Sequence, residues 1–308
     1  MEISVVIPVY GCRAAIPELY RRLISTLDSI VDSFEIVLVD DCCPQNSWES
    51  IKEICHFDSR VKAIHFSRNF GQIRAITAGL DYCCGEWIVV MDCDLQDRPE
   101  FIKDLYEKTK EGFDVVFAKR IDRKDNIITK AFSKIFYKVY DFFADEKTDN
   151  TICNFSISKR IVVENYCRMR ERRRTYMLFI QWLGFRQTAI DAPTDKRYEG
   201  NSAYNFSKKV SVAIDSITAQ SNKPLKFSAG LGFMISLVSM LYVVYLTIRY
   251  FVGIEIPEGW TTIVVSIYLV GGLLMFAIGV LGLYIGNIFD EVKKRPLYVI
   301  AEKLNFDK

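Results

Sequence analysis

The sequence predicts an α/β domain around a mostly parallel sheet, followed by a hairpin of two transmembrane helices. Three observations predict it. Apolar β-rich runs alternate with helix-spaced runs through residues 1–120, and several of those strands end in carboxylates. Beyond residue 226 the composition changes, and no charged residue occurs from Phe227 to Ile248 or from Gly259 to Phe289.

The elements follow in order. Strands are expected at Ile3–Val9, Glu35–Val39, Val61–Phe66, Trp87–Met91 and Asp114–Ala118. Helices are expected at Ala14–Ile30, Ser47–Cys55, Gln72–Cys84 and Pro99–Lys110, the last with proline in its first turn, where a missing N–H costs nothing. In open sheets of this kind a ligand sits off the carboxyl ends of the strands. Asp40, Asp41, Asp92 and Asp94 all fall at such ends. Each uncharged run exceeds the roughly 18–20 residues that cross a bilayer. The expected division is a cytoplasmic domain over 1–205, an amphipathic juxtamembrane helix over 206–226, spans over 227–252 and 260–289, and a cytoplasmic tail over 290–308. Lys208, Lys209, Lys223 and Lys226 precede the first span, and Lys293, Lys294 and Arg295 follow the second. The positive-inside rule then places both ends in the cytoplasm, with Trp260 at an interface. Gly282 and Gly286, four apart, offer a close-approach face for helix association and a possible homo-oligomer. Met1-Glu2 leads straight into a strand without a basic n-region, so no signal peptide is expected.

Composition limits the chemistry. A net charge of +2 on 308 residues argues against a nucleic-acid-coating protein, although basic residues cluster at 119–138, 168–174, 196–209 and 293–295. The run RERRR at 170–174 faces either lipid headgroups or solvent. The nine cysteines show no C-x-x-C spacing and are expected to be reduced thiols. With only His56 and His65, a histidine-based triad or metal site is disfavoured, so carboxylates, arginines and backbone must carry the chemistry.

The run WIVVMDCDLQD at 87–97 delivers Asp92 and Asp94 from a buried strand. Side chains alternate along a strand, so the chain must turn at Cys93 for both carboxylates to converge. Convergent carboxylates suit a hard cation, Mg²⁺ or Mn²⁺, which bridges diphosphate oxygens and stabilises them as a leaving group; Gln96 can add or orient a ligand. Asp40-Asp41 can accept hydrogen bonds from a base or a ribose, or serve as a helix cap or turn. The absence of G-x-G-x-x-G after the first strand disfavours a nicotinamide-binding site.

Taken together, SVVIPVYG, VDD, SRNFGQ with A-x-x-AGLDY, MDCDLQDRPE, AKR-x-x-R, NFSISKR, WLGFRQ, R-x-x-G-x-S-x-Y and NKPLKF occur in an order that spans nearly the whole chain. The sequence resembles family 2 glycosyltransferases of the GT-A fold. Within them it is similar to the polyprenyl-phosphate group, which includes dolichyl-phosphate mannose synthases and bacterial glucosyl-carrier synthases of the GtrB type. The resemblance implies an inverting transfer from a nucleotide-sugar to a polyprenyl phosphate at the cytoplasmic membrane face. It implies that Pro8, Tyr10, Asp40, Asp41, Asn69 and Gly71 hold the donor beside Asp92 and Asp94, and that Asp92, Asp94 and Gln96 organise the metal. Arg120, Arg123, Arg197 and Ser202 are then phosphate- and acceptor-binding, with Asp92, Asp94 and Arg120 catalytic. Three positions depart from the pattern. Arg98 stands where DPPE is common, Ala203 replaces a lysine in GNSAY, and Asn154 stands where many relatives carry aspartate. Asparagine cannot act as a base, which favours a phosphate acceptor. A lipid-linked saccharide acceptor would need a base such as Asp97 or Asp149, and a degenerate membrane scaffold is the alternative of another class.

Overall fold

The computed structural model describes residues 1–120, 142, 152–193, 195, 217–218, 221–252 and 259–306. The expected alternation forms β1 (Ile3–Val9), α1 (Ile16–Leu27), β2 (Phe34–Asp40), α2 (Ser47–Phe57), β3 (Val61–Phe66), α3 (Gln72–Tyr82), β4 (Trp87–Val90), α4 (Ile102–Thr109) and β5 (Val115–Arg120). Short 3₁₀ turns at Arg13–Ala15 and Pro99–Phe101 lead into α1 and α4, which trims both helices relative to the sequence reading. Beyond them come β6 (Ile152–Lys159), α5 (Arg160–Arg168), α6 (Tyr176–Trp182) and β7 (Gln187–Ala192). Two long helices, α7 (Lys223–Phe251) and α8 (Trp260–Val292), and a last strand, β8 (Ile300–Leu304), complete the described chain.

All eight strands join one sheet in the order β7-β5-β6-β4-β1-β2-β3-β8. β1 pairs in parallel with both β2 and β4, and β2 in parallel with β3. β6 runs antiparallel between β4 and β5, and β8 runs antiparallel on β3. Strand alternation sorts the core into two layers. Ile3, Val5, Ile7 and Val9 pack with α1, α2 and α4, whereas Val6 packs on the opposite face with α3, α5 and α6. The connection between β1 and β2 goes one way and that into β4 returns on the other side of β1. The gap beyond the carboxyl ends of β1 and β4 is therefore the switch point at which such sheets bind ligands.

The segment expected as a cytoplasmic tail supplies β8, and it belongs to the same compact unit as the sheet. Trp48 Nε1 donates to Glu302 Oε2 at 3.0 Å, and Asn305 Nδ2 donates to the carbonyls of Cys55 and Val61 at 2.7 and 2.8 Å. These bonds fix the C-terminal strand on α2 and β3. β8 thereby covers what would otherwise be an open strand edge on β3.

The second unit contains α7 and α8. At 1.5 Å per residue they extend about 43 and 50 Å, enough to cross a hydrocarbon core of about 30 Å. Their candidate spans are Lys223–Leu246 and Val265–Val292, with large apolar side chains such as Phe233 and Tyr268 left 73% and 78% exposed. Tyr284 donates to the Ser221 carbonyl at 2.6 Å, and Asn287 to that of Thr218 at 3.0 Å. The Tyr284 hydroxyl and the Asn287 amide nitrogen thus find carbonyl partners within the unit. The proposed juxtamembrane helix at 206–226 lies largely outside the described residues, as do the side chain of Trp260 and the loop between the spans.

One tight backbone approach supports the sheet. A Cβ on Gly85 would stand 2.5 Å from the Ser4 nitrogen and 2.8 Å from the Ile3 carbonyl carbon. Arg160 donates to the Gly85 carbonyl through Nε at 2.8 Å and to the Cys83 carbonyl at 2.9 Å. Gly85→Ala is expected to cost about 2 kcal/mol through overpacking against backbone. A fall in the thermal midpoint of the detergent-solubilised chain, followed by far-ultraviolet circular dichroism, checks this.

Candidate active site

The exits of β1, β2 and β4 and the loop before α3 meet at the switch point, and a chain of contacts joins them. Gly11, with φ +74°, carries the chain away from β1. Its N–H donates to Cys43 Sγ at 3.2 Å, tying the exit of β1 to that of β2. Cys12 and Cys93 form a disulfide, with their Cα atoms 6.3 Å apart, tying the β1 exit to the Asp92-x-Asp94 turn. The expectation of wholly reduced cysteines is therefore corrected. The partners lie 81 residues apart in sequence, and only the parallel pairing of β1 with β4 brings their exits together. Peptide mapping of the unreduced chain should recover a Cys12–Cys93 cross-linked peptide that separates on reduction. Elsewhere burial pushes the thiols of Cys55 and Cys83 up to about 12, which leaves them poor nucleophiles.

The chain turns at Cys93, as the sequence reading expected. β4 ends at Val90, and the chain turns at Cys93 and Asp94 with Leu95 in the left-handed region at φ +59°. Both carboxylates are half-buried. Asp92 Oδ1 accepts from Gln72 Nε2 at 2.7 Å, and Asp94 Oδ1 accepts from the Gln96 backbone N–H at 3.1 Å. The Gln96 carbonyl accepts from the Asp195 N–H at 3.0 Å. The turn is further braced by Arg98, whose Nε and Nη2 donate to Asp195 at 2.7 and 2.5 Å. The departure at Arg98 is thus accounted for by an ion pair across the turn.

Asp40 and Asp41 close β2, each at most 2% exposed. Asp40 Oδ2 meets His65 Nδ1 at 2.7 Å, and the His65 ring stacks on Trp48 with centroids 4.8 Å apart. Asp41 takes the N–H of Phe70 on one oxygen at 2.6 Å and that of Gly71 on the other at 2.8 Å. Burial pushes both carboxyls above the usual aspartate range, opposed by His65 at Asp40 and by the Phe70 and Gly71 amides at Asp41. Gly71 has φ +99°, a region that L side chains rarely adopt, and it precedes the first turn of α3. Asp41 therefore fixes the loop from which Gln72 reaches Asp92. Pro8 is buried in β1, Tyr10 stands 52% exposed just beyond it, and Asn69 is exposed on the loop before Gly71.

Sequence reasoning did not single out Gln72, His65 or Arg74. Gln72 carries the only readable signal, as the residue opening a helix after the Gly71 break. Arg120 ends β5, with its side chain outside the described residues, and Arg123, Asp149, Arg197 and Ser202 lie outside them too. Asn154 sits in β6, and Asp97 is buried at 3% exposure.

The residues present suit a divalent ion of the substrate-completed kind. Among the described residues no group of three histidine, cysteine or acidic side chains converges. Mg²⁺ and similar ions commonly take one or two protein carboxylates and complete their shell with phosphate oxygens and water. Asp92 and Asp94, each oriented by a hydrogen bond from a glutamine, provide such a pair.

The model of Glycosyl transferase family 2 matches residues 4–167. The chain is 36% identical over 309 aligned positions to the "Uncharacterized glycosyltransferase YkcC" of Bacillus subtilis, covering 100% of this chain and 95% of that one. It is 33% identical to the "Prophage bactoprenol glucosyl transferase homolog" of Escherichia coli, covering 97% and 98%. Mannosyl-3-phosphoglycerate synthase from Rubrobacter xylanophilus shares the fold, with a TM-score of 0.51 at 12% identity over 70% of this chain and 72% of that one.

Proposed function

The chain belongs to glycosyl transferase family 2, and from that premise we propose that it moves a sugar from a nucleotide-sugar to a polyprenyl phosphate at the cytoplasmic face of a membrane, with inversion at the anomeric carbon. The observation that carries the reading is the position of Asp92 and Asp94 at the β1–β4 switch point, each carboxylate held by a glutamine. The full-length similarity to bactoprenol glucosyl transferases supports the acceptor class.

In this reading Pro8, Tyr10, Asp40, Asp41, Asn69 and Gly71 form the nucleoside end of the donor site. Asp92, Asp94 and Gln96 would hold Mg²⁺ or Mn²⁺, which when bound would supply positive charge to stabilise the departing nucleoside diphosphate. Gln72 sets the orientation of Asp92, and the Gln96 N–H sets that of Asp94. Arg120, Arg123, Arg197 and Ser202 grip phosphate oxygens of donor or acceptor, a task suited to the guanidinium fork. An acceptor phosphate oxygen attacks the anomeric carbon as the bond to the diphosphate oxygen breaks. A phosphate monoester has its second pKa near about 6, so it is already nucleophilic at neutral pH and needs no strong base. Asn154 cannot serve as one, and the burial of Asp97 leaves it little surface to offer a sugar hydroxyl.

The hairpin topology has support of its own. The sheet and β8 form one unit although α7 and α8 intervene in sequence, so any crossings between them must be even in number. The basic residues flanking the helices support a cytoplasmic position for that unit under the positive-inside rule. Cys84 is an exposed thiol on the sheet unit. A membrane-impermeant maleimide should label it only after spheroplasts are opened, and labelling of intact spheroplasts would contradict the cytoplasmic placement. Metal dependence is tested by chelation. Removing divalent ions should abolish sugar transfer, and Mg²⁺ or Mn²⁺ should restore it; full turnover in excess chelator would remove the proposed role of Asp92 and Asp94.

A further inference from the structure

Three of the four arginines in the run RERRR take different tasks. Arg170 pairs through both Nη atoms with Asp81 at 2.8 Å. Arg174 is buried, with its guanidinium 4.0 Å from the Tyr166 ring centroid and a bond of 2.9 Å to the Tyr166 carbonyl. Arg172 goes elsewhere. With Arg68, Arg74 and Arg295 it lines one groove, which Asn69 and Phe70 also border and to which neither Asp92 nor Asp94 contributes.

Four arginines line one concavity, with no acidic side chain among its lining residues. Arg74 is half-buried, and burial followed by the charges of Arg172 and Arg68 depresses its pKa, with Asp41 opposing them. Arg74 is nevertheless held in place, donating to the Phe70 carbonyl at 2.7 Å and the Arg172 carbonyl at 3.4 Å. The partly buried Arg74 and Arg172 are thus held close together, while the exposed Arg68 and Arg295 complete the lining of the groove. Arg68 lies over the Phe70 ring at 4.3 Å, which restricts it to the same wall. Bringing like charges together costs free energy that a bound oxyanion would recover, and arginine forks match phosphate oxygens in pairs.

We propose that the groove of Arg68, Arg74, Arg172 and Arg295 is a phosphate-binding site, taking a phosphate group from a free anion or from an anionic lipid headgroup. Arg295 follows the last residue of α8, Val292, by three positions, so the groove draws one of its four cations from the chain leaving the second candidate span.

The test is titration calorimetry on the full chain in neutral detergent, without nucleotide-sugar or divalent ions, so its outcome is independent of the transferase reading. The probes are inorganic phosphate and phosphatidylglycerol in mixed micelles, at constant ionic strength. Wild-type chain should bind at least one probe saturably. Phosphate binding identifies a small-anion site, and binding of phosphatidylglycerol alone identifies a headgroup site. The double variant Arg68→Gln/Arg295→Gln, which spares the structurally engaged Arg74, should bind about tenfold more weakly or worse, as expected for losing charge-assisted hydrogen bonds. Arg68→Lys/Arg295→Lys should restore part of the affinity, which a merely unfolded groove would not show. Absence of saturable binding by either probe, or equal affinity in the wild type and the double glutamine variant, would overturn the proposal.

Discussion

Asp92→Asn and Asp94→Asn should each reduce sugar transfer at least about a hundredfold while leaving the chain folded. Loss of a group that positions a metal or a developing charge has effects of about that size or larger. Asparagine preserves the shape of either side chain and can still accept a hydrogen bond through its oxygen, so the bonds from Gln72 and Gln96 have a partner in the variants. The removed feature is the negative charge. Initial rates with saturating donor, measured beside thermal midpoints, separate the two effects. Gln72→Ala should give a smaller loss, because it disturbs only the orientation of Asp92. If Gln72→Ala matched Asp92→Asn, the carboxylate charge would not be the operative feature.

Asp41→Ala should destabilise the chain by about 3 kcal/mol, because it strips the partners from two loop amides at once. Those amides belong to Phe70 and Gly71, and the loop they anchor delivers Gln72 to the Asp92-x-Asp94 turn. The substitution should therefore also raise the KM for the donor. Asp41→Asn retains one acceptor oxygen and should fall between wild type and alanine in chemical-denaturation midpoint. An alanine variant of unchanged stability would show that these amides find other partners.

The reach of the sequence ended where contacts became long-range or polar. The parallel strands β1 and β4 were readable because they are nearly continuous apolar runs buried on both faces, with Ile3, Val5, Val6 and Ile7 each fully buried. The acidic exits of β2 and β4 were readable for the same reason, since each follows such a run. β6 escaped notice because Ser156 and Ser158 interrupt its apolar pattern. Both are fully buried, and the Ser156 hydroxyl lies 3.1 Å from that of Tyr176, a partner no spacing rule reveals. β8 reads as a charged tail, since Glu302 and Lys303 sit inside it. It becomes a strand by pairing with β3, more than two hundred residues earlier in the sequence, as the Trp48–Glu302 bond illustrates at a separation of 254. The task of Asp41 was open between ligand contact and local turn. Its two bonds instead reach 29 and 30 residues ahead, to the loop before α3. The Cys12–Cys93 pairing depends in the same way on sheet order and not on spacing.

The central claim joins a family 2 transferase site to a lipid phosphate acceptor, and the chemical nature of the product tests it most directly. Membranes containing the full chain are supplied with radiolabelled nucleotide-sugars, Mg²⁺ or Mn²⁺ and a synthetic polyprenyl phosphate, then extracted with organic solvent. The account predicts a labelled glycolipid whose sugar is released by mild acid, as a glycosyl phosphate bond requires, and whose formation depends on added polyprenyl phosphate and on Asp92. Label that appears only in oligosaccharide, or an extractable product that resists mild acid, would contradict it.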